Sequence, residues 1–157
     1  MKLSYLFLSI SLALIVSSCG TTKQSAKTKY NAQLAQKLGA DELGMKMYVL
    51  VILKTGDTKI EDKALRDSLF RGHFANINKL ADEGKLVVAG PLEKNENQYR
   101  GIFILDVKTF AEAGLLLQND PTVSQGIFKP EMYEWYGSAA LPVYMQLHSK
   151  IQKKQVK

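Results

Sequence analysis

Apolar residues recur along this chain with two alternating periods, and the places where the period changes divide it into elements. Tyr48 to Leu53 is an unbroken β-branched and apolar run closed by Thr55-Gly56-Asp57, which predicts a strand and a turn. From Asp62 to Glu83 the apolar positions Leu65, Leu69, Phe70, His73, Phe74, Ile77 and Leu80 return with helical spacing. Asp62 is suited to cap the start of that helix and Gly84 to stop it. Leu86 to Ala89 predicts a second strand ended by Gly90-Pro91, and Arg100 to Val107 a third, with polar Glu93 to Tyr99 between them as a turn. Thr109-Phe110-Ala111-Glu112 has capping-box spacing and opens a second helix through Gln118. Phe128 to Trp135 supplies the fourth strand. The order is β-α-β-β-α-β, the α+β ferredoxin-like split βαβ arrangement.

Two helices cover only one face of a four-stranded sheet, so the other face of a solvated sheet should be half polar. Here the central strands are apolar on both faces, at 48 to 53 and at 102 to 105, which predicts a second cover. Another subunit's sheet would supply it in a homodimer; the segment 30 to 42 or the tail would supply it within one chain. Tyr30 to Glu42 has helical spacing at Leu34 and Leu38. The tail after Gly137 offers Pro142 as a helix start and Tyr144, Leu147 and Ile151 as a short apolar stripe, with His148 a solvated surface residue among lysines and glutamines.

The two ends of the chain alter this picture. Met-Lys-Leu is followed by an apolar run from Ser4 to Val16, shorter than the roughly 20 residues of a bilayer-spanning helix, and then by Ser17-Ser18-Cys19. Residues 1 to 18 therefore read as a secretion signal. Val16-Ser17-Ser18-Cys19 resembles a lipobox, in which the chain's one cysteine is acylated after the cut and joins the mature protein to the lipid bilayer; a plain signal peptide with a free thiol is the other reading. Residues 19 to 44 form the lipidated start and tether, 45 to 137 the folded domain, and 138 to 157 a basic tail. Gly20 to Lys29 lacks acidic residues, so a periplasm-facing envelope anchor is expected. The net charge of +6 belongs to the ends: between Met45 and Gly137 twelve Lys and Arg stand against thirteen Asp and Glu. Nucleic-acid binding is therefore not expected.

Candidate chemistry in the domain is sparse. With two histidines 75 positions apart and a cysteine at the cleavage point, no metal site is expected, and no cofactor is either, because P-loop and dinucleotide turns are missing. His73 falls on the core-facing stripe of the long helix, where an imidazole must find a partner, as a structural or as a catalytic group. Asp120, in Asn119-Asp120-Pro121 at the end of the second helix, is ordinary stop-and-turn chemistry by itself but can reach His73. Gly90 and Pro91 are strand-stop residues able to line a pocket rim. Trp135 is a core or interface residue that could also face a ligand.

Leu80-Ala81-Asp82-Glu83-Gly84-Lys85-Leu86 after His73, then Ala89-Gly90-Pro91, then Asp120-Pro121 with Gly126, together resemble the YciI-like (YCII-related) family of dimeric α/β-barrel proteins over about Met47 to Trp135. The resemblance implies a ferredoxin-like fold with paired sheets and a His-Asp pair in a small-molecule pocket, carried here by His73 and Asp120. Asp120 would orient the ring, and the free nitrogen would act as a general base; one member of the family removes hydrogen chloride from a chlorinated hydroxyquinol-type ring. Thr122 departs from the aromatic residue common after Asp-Pro in that family. Two functions follow as expectations: a lipid-anchored protein with lyase-like acid-base chemistry on a small molecule, or a non-catalytic ligand-binding or interaction module of the envelope.

Overall fold

The computed structural model describes residues 29 to 154. The expected signal segment 1 to 18, Cys19 and the expected tether up to residue 28 lie outside the described residues, as do 155 to 157. Asn31 opens the compact unit as the cap of α1 (Ala32–Leu38), its side chain accepting from Leu34 N–H. Then come β1 (Met45–Thr55), α2 (Lys63–Asp82), β2 (Leu86–Pro91), β3 (Tyr99–Leu105), α3 (Phe110–Gln118), α4 (Pro121–Ser124) and β4 (Phe128–Ser138). A 3₁₀ turn over Leu141–Tyr144 and α5 (Met145–Ile151) complete it.

The four strands form one antiparallel sheet in the order β2-β3-β1-β4, which is the ferredoxin-like topology, so the α+β fold is as expected. The predicted helix ends are where their chemistry requires. Asp62 accepts from Leu65 N–H, Thr109 accepts from Glu112 N–H, and Gly84 takes φ 68°, letting Lys85 N–H reach back to Leu80 C=O as the helix closes. Glu112 reaches one residue further than a capping box and accepts from Lys108 N–H at 2.9 Å. One burial and one boundary differ. Leu65 lies in the first turn of α2 and is exposed. Gly90 and Pro91 do not stop β2 but belong to it, opposite Ile102 and Gly101. The strand tolerates proline because it is the sheet edge, where a missing N–H costs no ladder bond on the outer side.

Alternation along β1 sends Val49, Val51 and Leu53 toward the helices, where they form the main core with Leu80, Leu86, Phe103, Leu105 and Leu117. Tyr48, Leu50 and Ile52 point to the other face. There Tyr48, Val87 and Ile104 are buried, with Trp135 and Leu141 packed against them. The cover at this point is the tail: Leu141 sits on the cluster and Tyr144 O–H donates to Val87 C=O. Tyr48 O–H donates to Ser138 C=O at 2.8 Å, so the buried phenol is satisfied. Further along the same face Leu50, Ile52 and Ile102 are only half-buried and Tyr133 is exposed. The tail thus covers one end of the second face and leaves an apolar strip at the other.

Candidate functional site

His73 lies in the middle of α2, and its ring enters the layer between helices and sheet. Phe70 and Phe74 flank it from its own helix, Phe103 stacks on it from β3 with centroids 6.0 Å apart, and Phe128 meets it edge-on from β4 at 5.6 Å. In this apolar surround an unpaired ring nitrogen would be costly, by about 1–3 kcal/mol.

Asp120 supplies the partner. It caps the four-residue α4, with Pro121 at the first helical position, where the fixed φ and missing N–H of proline suit a helix start. Asp120 therefore begins a helix as well as following one, which the stop-and-turn expectation left out. Its Oδ2 lies 2.6 Å from His73 Nδ1. Its Oδ1 accepts from Thr122 N–H at 2.9 Å and from the Thr122 hydroxyl at 2.7 Å. Asp120 and Thr122 have 0% exposure and His73 7%. The two predicted residues meet, and Thr122 joins them.

The protons can be assigned from these contacts. Burial opposes ionisation of Asp120, but the hydrogen bonds from His73 and Thr122 and the nearby imidazole outweigh it and hold the carboxyl below the usual aspartate range. An ionised carboxylate only accepts, so Nδ1 carries the ring hydrogen. The Thr122 hydroxyl hydrogen is spent on Asp120, so its oxygen, 3.2 Å from Nδ1, serves there as a second, weaker acceptor. Nε2 has no hydrogen-bond partner among the described residues, yet no buried side-chain nitrogen or oxygen is unsatisfied. Nε2 is accordingly the ring atom that reaches solvent, and with Nδ1 protonated it is the basic nitrogen of the neutral ring.

Gly72 makes the meeting possible. A Cβ on it would stand 2.7 Å from Pro121 Cγ, so α2 and α4 approach at a position where only glycine fits. The other expected pocket residues, Gly90, Pro91 and Trp135, make no hydrogen bond or ring contact with His73. Trp135 packs beside Tyr48 on the opposite face of the sheet, 5.6 Å between ring centroids. A cleft of 490 Å³ opens at the far end of α3, lined by Gly39, Lys46, Lys85, Asp106, Lys108 and Glu112 among others, and does not include His73. Among the described residues no group of three His, Cys, Asp or Glu side chains could hold a metal.

The YCII-related domain model matches residues 47–135, a span holding His73, Asp120 and Thr122 and more than half the chain. This chain belongs to the YCII-related family. Within the YCII-related span the match begins in β1 and ends in β4, so it takes in all four strands and both long helices. Among solved structures, the chain is similar to 5-chloro-2-hydroxyhydroquinone dehydrochlorinase from Burkholderia phenoliruptrix, in complex with 2,5-dihydroxybenzoquinone. The identity is 18%, the alignment covers 55% of this chain and 92% of that chain, and the TM-score is 0.41. Comparison with curated proteins returns no match.

The residues of this YCII-related site that the sequence left unassigned are Thr122 and the phenylalanine surround. Asp-Pro-Thr carried a signal for the first: a cap carboxylate followed by proline and a hydroxyl two residues on favours a local bond back to the carboxylate. Phe103 and Phe128 come from separate strands and carried none.

Proposed function

We propose that this protein is a lipid-anchored, periplasm-facing member of the YCII-related family in which His73 moves a proton on a small organic molecule in a lyase-like reaction. The observation that carries the reading is the 2.6 Å bond from His73 Nδ1–H to Asp120, with no partner for Nε2 among the described residues. Asp120 fixes the tautomer and stabilises the imidazolium that forms when Nε2 takes a proton. Thr122 holds the carboxylate in place from its other oxygen. The phenylalanine rings shield the bond between Nδ1 and Asp120 and give an aromatic or otherwise flat substrate an apolar surface to lie on.

Homodimerisation belongs to this reading. The half-buried strip of Leu50, Ile52 and Ile102, with Tyr133 beside it, is a surface that a second copy's sheet would bury. The anchor rests on the Val16-Ser17-Ser18-Cys19 sequence.

A second reading has an observation in its favour. The 490 Å³ cleft lies away from His73, and the ring is closely surrounded, as a structural histidine would be. The two readings separate by solvent-deuterium exchange into a panel of small phenols and carbonyl compounds. Wild-type protein incorporates deuterium into at least one compound and the His73→Gln variant does not, at unchanged fold. If neither protein exchanges any compound and His73→Gln and Asp120→Asn both simply lose stability, the pair is structural.

A further inference from the structure

The C-terminal segment presents a chemistry that the site at His73 does not use. Leu141 and Tyr144 fasten it to the sheet, but the helix that follows turns apolar side chains to solvent. Leu147 is 62% exposed and Ile151 80%, and their spacing of four places them on one face of α5; Val143, in the 3₁₀ turn before it, is 43% exposed. Lys150 stands in the last turn of α5, Lys153, Lys154 and Lys157 follow, and no acidic residue occurs from Ser138 to the end of the sequence. An apolar stripe bordered by lysines alone is the composition of a helix that lies on an anionic lipid surface, with the apolar side chains at the acyl boundary and ammonium groups among the headgroups.

Its place in the fold favours the same occupant. Ala139 N–H donates to Gly44 C=O, so the tail begins beside the point where the chain enters β1, and Met45 pairs with Ser138. The 490 Å³ cleft at this same end of the sheet holds Lys46, Lys85 and Lys108 against Asp106 and Glu112, with Lys46 paired to Asp106 at 2.7 Å, so it adds at most a weak positive charge beside the tail. The start of β1 and the tail that follows β4 therefore lie at one end of the sheet. The acid-base pair is at the other end of α3, a helix about 14 Å long at 1.5 Å per residue, and is kept away from this surface.

We infer that α5 and the lysines after it form a second membrane contact, docking this end of the domain onto a bilayer containing anionic phospholipid. The inference takes from the proposed anchor only the nearness of a bilayer; the contact itself comes from Leu147, Ile151 and the tail lysines. This contact would set which end of the domain faces the bilayer.

The test uses the full mature protein reconstituted into phosphatidylcholine vesicles, with or without about 30% phosphatidylglycerol, and reads backbone hydrogen exchange over residues 145–151. Exchange there should slow at least about fivefold on the anionic vesicles only, with high salt or Lys150→Ala reducing the effect. Leu147→Asp with Ile151→Asp should abolish it without altering exchange in β1 or α2. Equal exchange rates on the two kinds of vesicle would overturn the inference, and so would equal slowing on both, which would mean that a second copy or the domain itself covers the helix. The mass of the mature N-terminus reports the anchor separately. An unacylated chain that still shows the anionic-specific slowing would refute the anchor and uphold the tail contact.

Discussion

Gly72 packs directly against Pro121, and their chain neighbours His73 and Asp120 are bonded at 2.6 Å beside this contact. A methyl group at position 72 would stand 2.7 Å from Pro121 Cγ, well inside van der Waals contact, so α4 must retreat or α2 must bend. Gly72→Ala should therefore destabilise the fold by about 1–3 kcal/mol even though alanine is the better helix former. The denaturation midpoint measures the loss. The same variant should weaken the His73–Asp120 bond, seen as a change in the ring proton and nitrogen resonances of His73. A stabilised variant would mean that α2 and α4 are not in the contact described.

The buried carboxylate couples folding to acid. Because hydrogen bonding and the adjacent imidazole hold Asp120 below the ordinary value of 3.8, against the opposing effect of burial, its contribution to stability is present above that value. It is lost as pH falls through the lower folded-state value. Asp120→Asn places an amide donor among the donors of His73 and Thr122 and should cost about 1–3 kcal/mol at neutral pH. The wild-type advantage over Asp120→Asn should shrink as pH is lowered below 3.8, which denaturant midpoints across pH would record. An advantage that grows on acidification would contradict the ionised state of Asp120.

Thr122→Val keeps the shape and the backbone N–H bond but removes the hydroxyl from Asp120 Oδ1. The expected cost is about 1 kcal/mol. The carboxyl pKa should also rise, because one of the bonds that lowers it is gone. Carbon-detected NMR titration of the Asp120 carboxyl follows this shift directly, and no upward movement would remove Thr122 from its role.

Much of this could be read along the chain, and what could not has a physical reason. The long helix was legible because Asp62 and Gly84 end it and because the helical period turns His73 inward. Asp120 was legible as a candidate partner, but α4 has four residues, too few for a period to register, so the cap was read only as a stop. Gly72 and Pro121 lie far apart in sequence, and their fit exists only once α2 and α4 are packed. In the tail the expected stripe of Tyr144, Leu147 and Ile151 divides: Tyr144 is tied to Val87, whereas Leu147 and Ile151 face solvent. Leu141, which carries much of the tail's packing, has no periodic partner to announce it. The two-sided apolar pattern of β1 and β3 was a sound guide to a second cover, since the tail occupies part of that face and a strip stays open.

Dimerisation can be tested on that strip. Ile52→Lys or Ile102→Lys puts an ammonium group on the open part of the second face without entering the core around Val51 and Phe103. Sedimentation velocity should give a dimer for the wild type and a monomer for either variant, while each monomer keeps its helical circular dichroism. A wild-type monomer at high concentration would refute sheet-to-sheet pairing.

The central claim is that Asp120 holds His73 with Nδ1 protonated and Nε2 free. Side-chain nitrogen NMR of protein labelled with ¹⁵N-histidine measures it most directly, at a pH where the ring is neutral. The account predicts the His73 Nδ1–H tautomer, with Nδ1 in a strong hydrogen bond that Asp120→Asn weakens and Nε2 at the shift of a bare, basic nitrogen. An Nε2–H tautomer, or a ring unaffected by Asp120→Asn, would contradict it.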